Sequence, residues 1–162
     1  METDGVPRET EARVRVAVVR KMTEMEDALS IRRAVFIAEQ GVTESEEIDA
    51  HDGDPQRVTD AVHVVAYLDG RPAATGRLLF DAPKEENAHI GRVAVLPEHR
   101  RRGLGRAVML ALQDEARKRG CRGLTVAAQV QAIPFYESLG YVAHGDVFLD
   151  ARIEHRLMDR PL

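Results

Sequence analysis

Along residues 13–18 apolar and polar side chains alternate, as Arg13-Val14-Arg15-Val16-Ala17-Val18. A period of two predicts a strand with one buried face. The period then changes. Thr23-Glu24-Met25-Glu26 has the form of a capping box, and Met25, Ala28, Leu29, Val35 and Phe36 recur at helical spacing. A helix is predicted from there to about Ala38, with Arg32 inside its apolar stripe. Gly41–Asp60 is acidic and has no period. A structureless loop of that length in a small domain is usually functional or mobile.

Further on, Ala61–Leu68 and Pro72–Phe80 are β-rich and flank Asp69-Gly70, a hairpin turn signal. A polar loop at Asp81–Ala88 leads to a strand at His89–Leu96. After the connection Pro97–Arg102, residues 103–119 carry helical periodicity through Leu104, Ala107, Val108, Ala111, Leu112 and Ala116. Gly120 is placed to end that helix. A strand at Leu124–Gln129, a short helix at Gln131–Leu139 ended by Gly140, and a hairpin of Tyr141–Leu149 with Ile153–Met158 follow. The order β-α-β-β-β-α-β-α-β-β predicts an α/β (mixed, α+β-like) domain, a sheet flanked by helices.

The length of 162 residues fits one domain, 13–162, after a mobile polar tail at 1–12. A net charge of −4 gives no basic face for nucleic acid. No apolar run is long enough to span a membrane, and the N-terminus lacks the apolar core of a signal peptide. Cys121 is the single cysteine and cannot form an internal disulfide. These features predict a cytoplasmic protein with no metal or disulfide staple.

The richest chemistry follows the strand that ends at Leu96. Arg100-Arg101-Arg102-Gly103-Leu104-Gly105-Arg106 places four arginines and two glycines at the start of a helix. Helix N-termini carry unpaired N–H groups and a positive dipole end. Arginines there oppose the dipole, and a bound anion would relieve them. Gly103-x-Gly105-x-x-Val108 lacks the third glycine of a dinucleotide fingerprint, and the next strand ends in Gln129 rather than an acid. A P-loop would need Gly-Lys-Ser/Thr, which is absent.

The run Arg100-Arg101-Arg102-Gly103-Leu104-Gly105 resembles the (Gln/Arg)-x-x-Gly-x-(Gly/Ala) signature of the GNAT family of N-acetyltransferases. The Val93-Ala94-Val95 strand and Phe135-Tyr136-Glu137-Ser138-Leu139-Gly140-Tyr141 are similar to that family's other two pieces, and the likeness runs from Val14 to Met158. It implies a central, mostly antiparallel sheet of six to seven strands, splayed in the middle. It implies acetyl-CoA as cosubstrate, its pyrophosphate on backbone N–H groups of Arg101 to Arg106. The pantetheine would lie along Val93, Ala94 and Val95, splayed from the strand that ends at Gln129, with Phe135 nearby. An N–H near Val95 would polarise the thioester carbonyl. Tyr136 is implied as the acid that protonates the leaving thiolate.

A narrower likeness, to the ElaA-like branch, lies in Arg32-Arg33-Ala34-Val35-Phe36-Ile37-Ala38-Glu39-Gln40, Ile48-Asp49, Gly91-Arg92-Val93, Ala128-Gln129, and Ile153, His155 and Met158. The chain departs from that branch at Ala151-Arg152, where Asp-Gly is usual, and at Glu154, where proline is usual. Charges in apolar settings point to the same segments. Arg32 interrupts a helix stripe, Arg77 and Arg92 lie inside strands, and Glu39 ends a helix against its dipole. These residues read either as a structural ion-pair network or as an acceptor pocket. The pocket reading takes Arg32, Gln40, Asp49, Arg77, Arg92 and His155 as substrate-binding, for a small polar amine. The general base is open among Glu39, Asp49, His63, His155 and water, with Glu39 placed in the catalytic set. An acyl-CoA sensor without turnover and a protein or peptide N-acetyltransferase are the competing functions. Domains of this kind often pair through sheet edges or the last strands, so the sequence is compatible with a homodimer and leaves the oligomeric state open.

Overall fold

In the computed structural model, residues 13–80, 83 and 86–162 are described. The expected tail at 1–12 lies outside them, as does part of the loop expected at 81–88. Among the described residues seven strands form one sheet in the order β1-β2-β3-β4-β5-β7-β6. They are β1 (Val14–Val18), β2 (Ala61–Leu68), β3 (Arg71–Leu79), β4 (Ala88–Val95), β5 (Gly123–Gln129), β6 (Val142–Asp150) and β7 (Ile153–Pro161). Every pairing is antiparallel except β4 with β5.

The helices cover the two faces. Along β2, Val64, Ala66 and Leu68 join the core under α3 (Leu104–Lys118), with Val108, Leu112 and Ala116. The intervening Val65 and Tyr67 join the other core, under α1 (Met22–Arg32), with Met25, Ala28 and Ile31. Period-two alternation thus feeds two cores, so β2 reads as nearly continuous apolar sequence. At Gly76 of β3 a Cβ would fall 2.6 Å from Val108 Cγ1 and 2.8 Å from Leu112 Cδ1. That glycine sets how closely α3 approaches the sheet.

Two expectations are corrected. The helix begins at Met22 behind Lys21 and makes no side-chain cap, so Thr23 and Glu26 form no capping box. Glu24 instead accepts from the Arg20 N–H. The α-helix also stops at Arg32 and continues as a π-helical turn over Arg33–Glu39, with Gln40 N–H reaching back five residues to the Val35 carbonyl. Such wider turns are rare and concentrate at functional sites.

The acidic stretch 41–60 is also not structureless. It holds α2 (Glu44–Glu47) and a 3₁₀ turn at Ala50–Asp52. Each is closed by a capping box, Thr43 with Glu46 and Asp49 with Asp52. Local caps, rather than apolar periodicity, fix this segment, which hid it from a periodicity reading.

Candidate active site

Between β4 and β5 the sheet opens. These strands pair only at Ala88–Leu124, His89–Thr125 and Ile90–Val126. From Gly91 onward β4 pairs only on its β3 side, while β5 continues along β7 as far as Gln129–His155. The cause is a bulge. Between the pairs Arg77–Gly91 and Thr75–Ala94, two β4 residues, Arg92 and Val93, oppose Gly76 alone. Arg92 takes up the extra length at φ +54°, in the left-handed region. Beyond the bulge Leu96 N–H donates to the Ala73 carbonyl. Antiparallel alternation then turns the Val95 N–H and C=O toward the open edge. On that edge the Val95 carbonyl accepts from Arg100 Nε at 3.1 Å.

The basic turn stands at the mouth of the opening. Arg101 and Gly103 have φ values of +65° and +77°, and α3 starts at Leu104 with no side-chain cap and no acid in its first turn. Its first N–H groups therefore remain open to an external acceptor. Gly105 lies against the Phe135 ring, 3.3 Å from where a Cβ would sit. A side chain there would crowd the passage between the turn and α4 (Ile133–Glu137).

A cavity of 640 Å³ runs from this turn along the open edge of β4. Val93, Ala94, Val95, Gly103, Leu104, Gly105, Arg106, Gln129, Phe135 and Tyr136 all line it. Tyr136 is packed edge-on between Phe135 and Tyr141, with ring centroids 5.0 and 5.9 Å away. Burial pushes its phenol up to about 12, so at neutral pH it holds its proton. The far end of the cavity is polar, with Gln40, Glu46, Glu47, Arg92, Asp150 and His155.

Behind that end sits a buried ion cluster. Arg32 is 1% exposed. It donates from Nε to Glu47 at 2.8 Å, from Nη1 and Nη2 to Asp52 at 2.6 and 2.8 Å, and from Nη2 to the Glu47 carbonyl at 2.7 Å. Arg77 Nη1 bridges Asp49 at 2.9 Å and Asp52 at 3.1 Å. Arg92 Nε lies 3.3 Å from Glu47 and donates to the Glu47 carbonyl at 3.2 Å. Burial alone would raise the Asp52 carboxyl, but the bonds and charge of Arg32, the Asp49 N–H and Arg77 hold it far below the carboxylate range. For Glu47 the balance reverses, and burial pushes it above its ordinary value despite Arg32, Arg92 and Arg77.

The sequence-predicted residues therefore divide. Gln40, Arg92 and His155 line the cavity, whereas Arg32, Asp49 and Arg77 are absent from its lining. His63 is buried near the same cluster, its Nε2 donating to the His51 carbonyl at 2.9 Å. Arg102 does not line the cavity either. Arg100 does, but Nη1 and Nη2 hold the Glu39 carboxylate at 2.8 and 2.7 Å, and Glu39 is outside the lining. Gln40 and Gln129 exchange amide hydrogen bonds of 2.8 and 3.4 Å across the opening. Glu46, Glu47 and Asp52 were missed by the sequence reading. The spacings Thr43-x-x-Glu46 and Asp49-x-x-Asp52 were the available signals. The I′-like turn at Ala151 and Arg152, with φ +48° and +66°, is kept without its usual glycine. Arg152 there reaches Glu46 at 3.2 Å.

Comparison with known proteins agrees with this geometry. A family profile described as the acetyltransferase (GNAT) family matches residues 25–141. The uncharacterized N-acetyltransferase YjcF of Bacillus subtilis is 34% identical over 146 residues, spanning 90% of this chain and 98% of that protein. A solved acyl-CoA N-acyltransferase from Pseudomonas aeruginosa is 30% identical at TM-score 0.76, covering 91% of this chain and 99% of that one. Escherichia coli ElaA shares the fold at TM-score 0.74 and 22% identity, covering 91% and 99%. Among the described residues no helix is long and apolar enough to cross a membrane. The signature turn, the splayed strands and these relatives place the chain in the GNAT family of N-acetyltransferases, enzymes that use an acyl-CoA cosubstrate.

Proposed function

We propose that the protein transfers an acetyl group from acetyl-CoA directly to the primary amine of a small molecule. The observation that carries this reading is one continuous cavity with three successive surfaces. A basic, uncapped helix turn leads to an open strand edge beside Tyr136, and then to a polar end. The open N–H groups of Leu104, Gly105 and Arg106, with the guanidinium of Arg106, suit a pyrophosphate. The open edge of Val93–Val95 suits an extended pantetheine amide chain, which pairs with backbone as a strand does. The Val95 N–H on that edge suits the thioester oxygen, where negative charge develops during attack.

Tyr136, protonated and desolvated, suits the departing thiolate, which needs one proton. Cys121 is not among the lining residues, in keeping with direct attack without a covalent enzyme intermediate. The polar end suits a small acceptor because a half-buried Arg92 and the carboxylates of Glu46, Glu47 and Asp150 surround it. The test is release of coenzyme A from acetyl-CoA against spermidine, benzylamine, glucosamine and lysine, with acetyl-CoA binding followed by calorimetry. Amine-dependent release supports the reading. Tight binding without release on any amine would favour the sensor reading instead.

A further inference from the structure

Acetyl transfer needs a proton acceptor as well as an acid, because a primary amine reaches the site largely as ammonium at neutral pH. Most carboxylates near the polar end are already engaged. Arg100 holds Glu39, Arg77 holds Asp49, and Arg32 and Arg92 flank Glu47. Arg152 and the Thr43 hydroxyl hold Glu46. Asp150 is exposed, and a carboxylate is a weaker base than an imidazole. His63 is sealed in the ion cluster, its Nε2 spent on a carbonyl and its Nδ1 buried without a partner.

His155 is arranged differently. Its Nδ1 lies 2.7 Å from the Ile153 carbonyl. A carbonyl can only accept, so Nδ1 carries the proton and the neutral ring keeps its lone pair on Nε2. The ring is stacked on Phe148 at 5.9 Å and 24°, which fixes its plane. The side chain lines the cavity beside Gln129, its register partner on β5. Among the described residues Nε2 has no hydrogen-bond partner. It is not one of the buried polar atoms left unpaired, so the cavity reaches it.

We propose that His155 is the general base of the transfer, taking the acceptor's proton on Nε2. This rests on the acetyl-transfer reading above. The ammonium R–NH₃⁺ gives one proton to Nε2 and becomes R–NH₂. Its lone pair forms the C–N bond at the thioester carbon, and the C–S bond breaks with its electron pair on sulfur. Tyr136 protonates the thiolate, and the nitrogen's second proton returns the phenolate to phenol through solvent. The imidazolium loses its proton to bulk water. The products are an amide, coenzyme A as thiol and one proton.

The other titratable groups at this end are Glu46, Glu47 and Arg92 on one wall, Asp150 on β6 and Tyr136 on α4; β5 contributes Ala127 and Gln129, neither of which titrates. Two experiments separate the base from a structural role. Long-range ¹H–¹⁵N spectra of the histidine-labelled protein need no acceptor. In the uncharged ring they should show Nδ1 of His155 protonated and Nε2 bare; the opposite tautomer overturns the proposal. The second uses His155→Asn, whose amide can still donate to the Ile153 carbonyl but offers no base. With the fastest amine of the spermidine, benzylamine, glucosamine and lysine panel, kcat/KM should fall about 100-fold at pH 7. Acetyl-CoA affinity and melting temperature should hold, and the gap should close at high pH as free amine accumulates. Wild-type turnover with the variant within threefold and the same acidic limb overturns the base alone. No wild-type turnover on any amine overturns the transfer reading and the base together.

Discussion

Asp52 is the residue whose loss should be felt most in stability. Its side chain is fully buried and accepts from Arg32 twice, from Arg77 and from the Asp49 N–H. Asp52→Ala leaves Arg32 with Glu47 and Arg77 with Asp49, but each guanidinium loses a charge partner in a site that water does not reach. Breaking a buried pair in this way costs about 3–5 kcal/mol. For a domain of this size each kcal/mol moves the melting temperature about 2–4 °C, so a fall of roughly 6–20 °C is expected. Urea unfolding and calorimetry on the two proteins measure it.

The pH dependence supplies an independent check. Asp52 has a folded value depressed below the unfolded carboxyl, so its contribution is present above about pH 4 and lost as pH falls through the folded value. Glu47 shifts the opposite way, and its contribution is lost as pH rises through its raised value. The two partly cancel in the wild-type curve. The difference between wild type and Asp52→Ala isolates Asp52, and should shrink steadily from about pH 5 downward. A loss below about 1 kcal/mol, or a difference that does not vary between pH 6 and 3, would refute the reasoning.

Other outcomes follow from the site and its supports. Tyr136→Phe should lower kcat roughly 100-fold while leaving KM for acetyl-CoA within threefold, read by thiol release. Gly76→Ala should cost about 1–3 kcal/mol in urea unfolding, because its Cβ would meet Val108 and Leu112 in a closed core. Arg100→Ala should cost no more than about 1 kcal/mol, since the Arg100–Glu39 pair is over a third exposed on both sides. Because Arg100 is committed to Glu39 and the Val95 carbonyl, Arg106→Ala should weaken coenzyme A binding more than Arg100→Ala. That gap should narrow in high salt when followed by calorimetric titration.

Sequence alone determined the parts whose signals are local. Alternation marks β1 because a strand with one buried face repeats every two residues, and β-rich runs on either side of Asp69-Gly70 mark β2 and β3. The turn at Arg100–Arg106 predicts an anion site because arginines at a helix start oppose the local dipole and the uncapped N–H groups stay bare. Tertiary structure decided what depends on distant partners. The opening between β4 and β5 comes from one extra residue opposite Gly76, which no periodicity records. The carboxylates of Glu47 and Asp52 turn inward because Arg32, Arg77 and Arg92, 15 to 45 positions away, supply charges that must be met away from water. The charged residues of one short sequence list thus separate into cavity wall and buried support. Arg92 and His155 fall on the first side, Arg32 and Arg77 on the second, and only packing of the acidic segment against the sheet draws that line.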